Sequence, residues 1–369
     1  MSPIRPDPAG ARAEGQRLLA AFVEAGAQPV EAAILQPAEV LLDLYGEDIR
    51  ARAYVTQDPL RGEMMLRPDF TVPVVQAHMR GGAEPARYAY LGEVFRKQET
   101  RAGERAAEYL QAGFELFDRD RPAEADAEVF ALFARLLARL GLRAATGDIG
   151  ILRAAVQGLP TSVARKAALM RHLWRPQRFR ALLERYAGRV PVPPERAALL
   201  EMLARGERPV SDAPHIGLRD PDEIEARLKL LAEDAAMPPI DGALVDGLEA
   251  LATIAAKAPA ALAELRGHAR AMPWIAASVE GFARRLGALE ARGMDVSALD
   301  FEASYGRTTL EYYDGFVFGL YAEARPDLPP VATGGRYDAL TSVLGQGRSI
   351  PAVGGVIRPA LVAALGGTG

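Results

Sequence analysis

Apolar residues recur at helical spacing over 11–27, where Leu18, Leu19, Phe22 and Val23 share one face before Gly26 closes the run. From 29 to 118 the pattern shortens into β-type runs, YVTQ, MMLRPD, ARYAYLGEVFR and EYLQAGFELF, separated by turn residues, which predicts a sheet of hairpins. Helical spacing returns over 124–141, and Val129, Phe130, Phe133, Leu136, Leu137 and Leu140 form a stripe suited to cover one face of that sheet. The region 150–295 reads as helix almost throughout, punctuated by Gly and Pro at 158–160, 192–194 and 238–242. After Met294 β-type runs resume in LDFEASYG, LEYYDGFVFGLYAE, VATGGRYDAL and IPAVGGVIRPALVAAL. The expected architecture is α+β: an antiparallel core from 1–150 and 295–369, split by a helical insertion over 150–295. No internal repeat of fixed period is present.

Strand alternation in EYLQAGFELF places Leu110, Ala112, Phe114 and Leu116 on one face and Gln111, Gly113 and Glu115 on the other. At about 3.4 Å per residue, Gln111 and Glu115 stand roughly 13 Å apart, and Gly113 between them leaves room for an amino-acid-sized ligand. A solvated face of an antiparallel sheet would read the same way. Arg96 ends a strand, facing with Gly92 and Val94, and its fixed guanidinium fork suits a carboxylate or phosphate, or equally a surface salt bridge. In LRPDFTVP, Asp69 and Thr71 share a face if the segment is extended. They form an acceptor pair for an ammonium group, or cap a turn. Asp314 and Gly315 give a two-residue hairpin signal beside Tyr312 and Tyr313, and GGRYD at 334–338 reads as a tight turn.

Composition narrows the chemistry. The chain has 369 residues with 44 Lys and Arg against 48 Asp and Glu, a net charge of -4 that argues against a polyanion as main partner. The absence of cysteine removes disulfides, thiolate metal sites and thiol nucleophiles, and the four histidines, His78, His172, His215 and His268, lack metal-ligand spacing. No metal or cofactor is expected. The N-terminus lacks the apolar core of a signal peptide and no stretch approaches the roughly 20 apolar residues of a membrane span, so a cytoplasmic protein is expected.

The ordered set LRPDFT, LGEVFR, LQAGFEL, LEYYDGFVF, GGRYDAL and AVGGVIR, spread over about 15–361, closely resembles the catalytic core of the histidyl-tRNA synthetases, a class II synthetase fold. By that resemblance Asp69, Thr71 and Gln111 would hold a histidine α-ammonium. Glu115 and Tyr312 would meet the imidazole, Tyr313 would line the pocket, and Arg96 would face the carboxylate or an activating phosphate. Class II cores pair through the segment here at 28–60, which implies a homodimer.

The chain departs from the synthetase pattern where activation chemistry sits. Thr308-Thr309 stand where synthetases carry the arginine before Leu310-Glu311-Tyr312-Tyr313, and Arg307, one residue early, would point to the opposite face of a strand. Loss of one such charge-stabilising donor costs about 10²- to 10³-fold in rate. Gln98 replaces an acidic residue, 97–110 lacks the Gly-Arg-x-Arg run, and Ile357 replaces a glutamate before the retained Arg358. At the ligand end Asp69, in place of glutamate, shortens one arm by a methylene. Only eleven residues follow Arg358, so no anticodon-binding domain and no tRNA partner are expected. This combination resembles the regulatory subunits of ATP phosphoribosyltransferase, synthetase paralogues that pair with a short catalytic subunit in the first step of histidine biosynthesis. The expected role is therefore a non-catalytic, histidine-sensitive activator in a hetero-oligomer. A truncated enzyme forming histidyl-adenylate and a stand-alone histidine-binding module are the alternatives.

Overall fold

A computed structural model describes residues 7–45, 49–97, 107–209, 220–305 and 313–366. Its centre is a nine-stranded sheet. The order is Gln28–Pro29, Ala86–Phe95, Glu108–Phe117, Ala352–Ile357, Ala332–Arg336, Phe316–Tyr321, Arg143–Asp148, Asp300–Glu302 and Ala255–Lys257. Neighbours are antiparallel except Gln28–Pro29 against Ala86–Phe95 and Arg143–Asp148 against Asp300–Glu302. The strands predicted near 55–66 are not part of it. Val55–Asp58 and Gly62–Leu66 form a separate three-stranded sheet with Leu35–Pro37; the helix Ala38–Tyr45 packs against it and the helix Thr71–Met79 follows it in the chain. The single sheet of hairpins expected over 29–118 is thus two sheets with helices between. Short strands and short helices of this kind leave too few periods to read.

The opening helix spans Pro8–Glu24, with Asp7 accepting the Gly10 amide at 3.0 Å and Pro8 at the first turn, where a missing N–H is harmless. Leu18 and Phe22 are fully buried, whereas Val23 is 42% exposed, one residue off the true face. The helix predicted over 124–141 spans Pro122–Leu137 with a following 3₁₀ turn at Ala138–Leu140. Its Val129, Phe130, Phe133 and Leu137 are buried, while Leu136 and Leu140 pack at the margin. These two helices, with Pro359–Gly366, cover the face of the sheet that carries Ala112, Phe114, Leu116 and Phe318.

The strand Arg143–Asp148 was not anticipated. Its sequence RAATGD has no alternation because both of its faces are covered. Between Ile149 and Glu290 the described residues are mainly helical, with connections that include 158–162, 172–175, 187–193 and 237–241, apart from the short edge strand Ala255–Lys257. Most of these helices share the core on that face of the sheet rather than building another: Leu152, Leu169, Phe179, Val245, Leu265 and Val279 belong to the cluster that contains Phe114 and Phe318. Trp274 lies flat on Gly158, where a Cβ would fall 2.0 Å from its ring, and its indole N–H donates to Ala155 at 3.1 Å.

Candidate functional site

On the opposite face of the sheet, residues in register form a row across five strands: Tyr88, Glu115, Gly354, Gly335 and Val317. The two central glycines leave a trough in the backbone surface, and neighbouring side chains fill it. A Cβ on Gly354 would sit 1.5 Å from Glu115 Oε2, and one on Gly335 would sit 2.8 Å from the Tyr313 ring. GGRYD is therefore strand interior, not a turn: Ala332–Arg336 runs straight through both glycines, which exist so that side chains can lie on the backbone. Asp314 and Gly315 are likewise not a hairpin tip. The Asp314 amide donates to Arg336 in the ladder, and its carboxylate accepts the Asp338 and Ala339 amides at the start of the helix Asp338–Leu344.

Glu115 is 1% exposed and its carboxyl group is surrounded by hydroxyls. Thr71 Oγ1 and the Tyr90 hydroxyl each donate to Oε1 at 3.0 Å, and the Tyr337 hydroxyl donates to Oε2 at 2.6 Å. Burial pushes its pKa up to about 7, against the pull of the three donors, with Asp69 adding repulsion. Tyr337 is raised in turn, by burial and by the Glu115 charge. Thr71 reaches Glu115 from the first position of the helix Thr71–Met79, not from an extended segment, so it and Asp69 are not alternating strand residues. Asp69 is buried and its Oδ1 accepts the Val72 amide at 3.2 Å.

The space expected over Gly113 is filled. Tyr90 is the cross-strand partner of Gly113, and a Cβ there would meet its ring at 2.1 Å. The ring stacks on Phe70 at 4.3 Å and 9°, and Phe70 stacks beneath the Arg67 guanidinium at 4.0 Å. Arg67 itself is buried and donates to the Glu93 carbonyl at 2.8 Å. Gln111 is 1% exposed, and its Oε1 accepts no hydrogen bond among the described residues. Arg96 Nε donates to the Pro68 carbonyl at 2.8 Å, tying the strand end to the segment that carries Asp69. Tyr313 is buried beside Tyr337, ring centroids 6.4 Å apart. Tyr312, Arg307, Thr308 and Thr309 lie outside the described residues.

The structure thus brings Asp69, Thr71, Gln111, Glu115 and Tyr313 to one trough. Sequence reasoning missed Tyr90, Tyr337 and Gly354. Tyr90 could have been found, since an aromatic residue facing a strand glycine often covers it. Tyr337 was hidden by the reading of its glycines as a turn.

Behind Tyr337 lies a buried charge network. Arg336 donates to Asp126 Oδ1 at 2.7 Å and to Asp338 Oδ1 at 3.1 Å. Arg285, from the helix Ala276–Glu290, donates to Asp126 Oδ2 at 3.1 Å and Asp148 Oδ2 at 2.6 Å, with its guanidinium 4.3 Å over the Phe316 ring. Burial raises Asp338 to about 6, with Arg336 opposing and Asp314 adding to the shift. Arg358 donates to the Pro330 carbonyl.

Among the described residues no helix is long and apolar enough to cross a membrane. The family model for histidyl-tRNA synthetase matches residues 5–238 and 226–360. A protein of Allorhizobium ampelinum named ATP phosphoribosyltransferase regulatory subunit is 34% identical over 379 residues, covering 95% of each chain. One of Sinorhizobium medicae with the same name is 35% identical over 366 residues, covering 91% of this chain and 93% of its own. Among solved structures, an ATP phosphoribosyltransferase regulatory subunit/histidyl-tRNA synthetase of Bacillus halodurans superposes with a TM-score of 0.68 at 21% identity, over 99% of this chain and 81% of that one. A histidyl-tRNA synthetase of Nostoc gives 0.64 at 16% identity, over 99% and 73%. At those identities the structures establish the fold alone: α+β, of the class II synthetase kind.

Proposed function

The chain belongs to the family of ATP phosphoribosyltransferase regulatory subunits, within the histidyl-tRNA synthetase-like proteins, and from that premise we propose how it works. It is a non-catalytic regulatory subunit that activates the short catalytic chain of ATP phosphoribosyltransferase in histidine biosynthesis and makes it sensitive to histidine. The observation that carries this reading is the end-to-end match to relatives so named. A histidyl-adenylate-forming enzyme is not favoured by those names.

The trough supports the choice of effector. Glu115 offers a buried acceptor for an imidazole N–H, while Gln111 Oε1, without a partner among the described residues, and the buried Asp69 carboxylate offer acceptors for an α-ammonium. Arg96 and Tyr313 border the same region, and Tyr312 is assigned to it by resemblance. The protein acts in the cytoplasm as a homodimer paired through 28–60 inside the hetero-oligomer, with 150–295 as an insertion in the synthetase-like core and no tRNA partner. Histidine that prefers one arrangement of the complex shifts its population by the difference in affinity, about 1–3 kcal/mol in typical cases.

The test is turnover of ATP and phosphoribosyl pyrophosphate by the short catalytic chain, with and without this protein and with added histidine. Stimulation that histidine reverses is the expected result. No effect on a folded catalytic partner would overturn the reading.

A further inference from the structure

We propose that Tyr90 is a plug that occupies the ligand's own place, so that an amino-acid ligand enters the trough only by displacing the Tyr90 ring from Gly113 and its hydroxyl from Glu115. The inference rests on the reading of the trough as the histidine site. Three observations carry it. The Tyr90 ring lies directly on the glycine that separates Gln111 from Glu115, the one place between those two polar side chains where a backbone without a Cβ would admit a flat ring. Its hydroxyl donates to Glu115 Oε1 as a ligand N–H would, and with Thr71 and Tyr337 it completes a set of three donors on the carboxyl group. Oε1 already accepts from both Thr71 and Tyr90, so a ligand N–H aimed at that oxygen has to take the place of one of them.

The third observation is Gln111. A buried carbonyl oxygen left without a donor is costly unless a ligand supplies one. In the plugged state the Glu115 carboxyl group is matched from within, while Gln111 Oε1 accepts no hydrogen bond among the described residues. That asymmetry fits a site held closed by its own side chain, rather than an apolar core in which both ends would be matched. Tyr90 is held by stacking on Phe70, in a sandwich closed by Arg67, so displacement means breaking that stack. Of the three hydroxyls on Glu115, only that of Tyr90 belongs to a ring lying over Gly113 between Gln111 and Glu115. Its removal opens the ligand path.

Binding of histidine to the full chain is measured by calorimetry and stopped flow for the wild type, Tyr90→Ala and Tyr90→Phe, alongside activation of the catalytic chain by each. The wild type should bind with an observed rate that levels off at high histidine, because opening of the plug precedes entry. In Tyr90→Ala the plateau should vanish and affinity should rise at least about tenfold, as the binding-competent fraction is no longer limiting. Tyr90→Phe, which keeps the ring and loses one hydrogen bond, should tighten binding by about fivefold and raise the plateau.

Equal or weaker binding in both variants overturns the plug, and so does a wild-type rate that stays linear. If Tyr90→Ala fails to fold, Tyr90→Phe decides alone. Histidine binding to none of the three, with activation of the catalytic chain intact, overturns the plug together with the placement of histidine in this trough, while the regulatory role stands. Loss of wild-type activation as well overturns that role too.

Discussion

At the scale of single residues, Glu115 sets the behaviour of the trough. Its pKa, raised from 4.5 to about 7 by burial, means that the folded protein binds a proton the unfolded chain has released between those two values. The contribution is fully present below pH 4.5 and is lost as pH rises through 7, by roughly 3 kcal/mol. Asp338, at about 6, titrates inside the same window, so the wild-type profile alone does not isolate Glu115. Urea denaturation from pH 5 to 8 should show wild-type stability falling, relative to Glu115→Gln, by a few kcal/mol, with the slope due to Asp338 left in both. Parallel profiles would place the raised pKa elsewhere. Alternation alone made the polar face of 111–115 legible. Its burial was not legible, because the groups that cover Glu115 lie 44, 25 and 222 residues away in the chain.

At the scale of elements, the strands are shaped by what their glycines admit. Gly354 stands in register with Glu115, and any side chain there collides with the carboxyl group and comes within 2.8 Å of the Phe114 carbonyl. Gly354→Ala should cost about 1–3 kcal/mol in stability, the usual penalty of an overpacked core. In a Glu115→Ala background the penalty should shrink, leaving the part due to the backbone contact, and the difference in a double-mutant cycle measures the collision. Additive costs would show that the carboxyl group moves aside freely. The same glycines explain why this part of the sheet was misread. GGRY has the local signature of a turn, and only partners distant in the chain, Phe318 over Gly334 and Tyr313 over Gly335, mark it as strand interior. The helices were more readable, since Pro194 and Asp241 mark starts by local rules that need no distant partner.

At the scale of the whole molecule, Arg285 ties the helical region to the sheet. It is buried between Asp126 and Asp148, and Asp126 in turn holds Arg336, the neighbour of Tyr337. Arg285→Met removes one cation from among buried carboxylates and should cost about 3–5 kcal/mol. Arg266→Ala, which breaks the exposed pair with Glu280, should stay within about 1 kcal/mol. Comparable losses in both would mean that the buried network relaxes by admitting water. Both tryptophans of the chain, Trp174 and Trp274, belong to the helical region, and the indole that rests on Gly158 donates to a helix carbonyl there. Intrinsic ultraviolet emission therefore reports on a part of the protein remote in sequence from the Tyr90 plug. On the proposed placement of histidine in the trough, a spectral change on adding it is a signal carried from there into the helices.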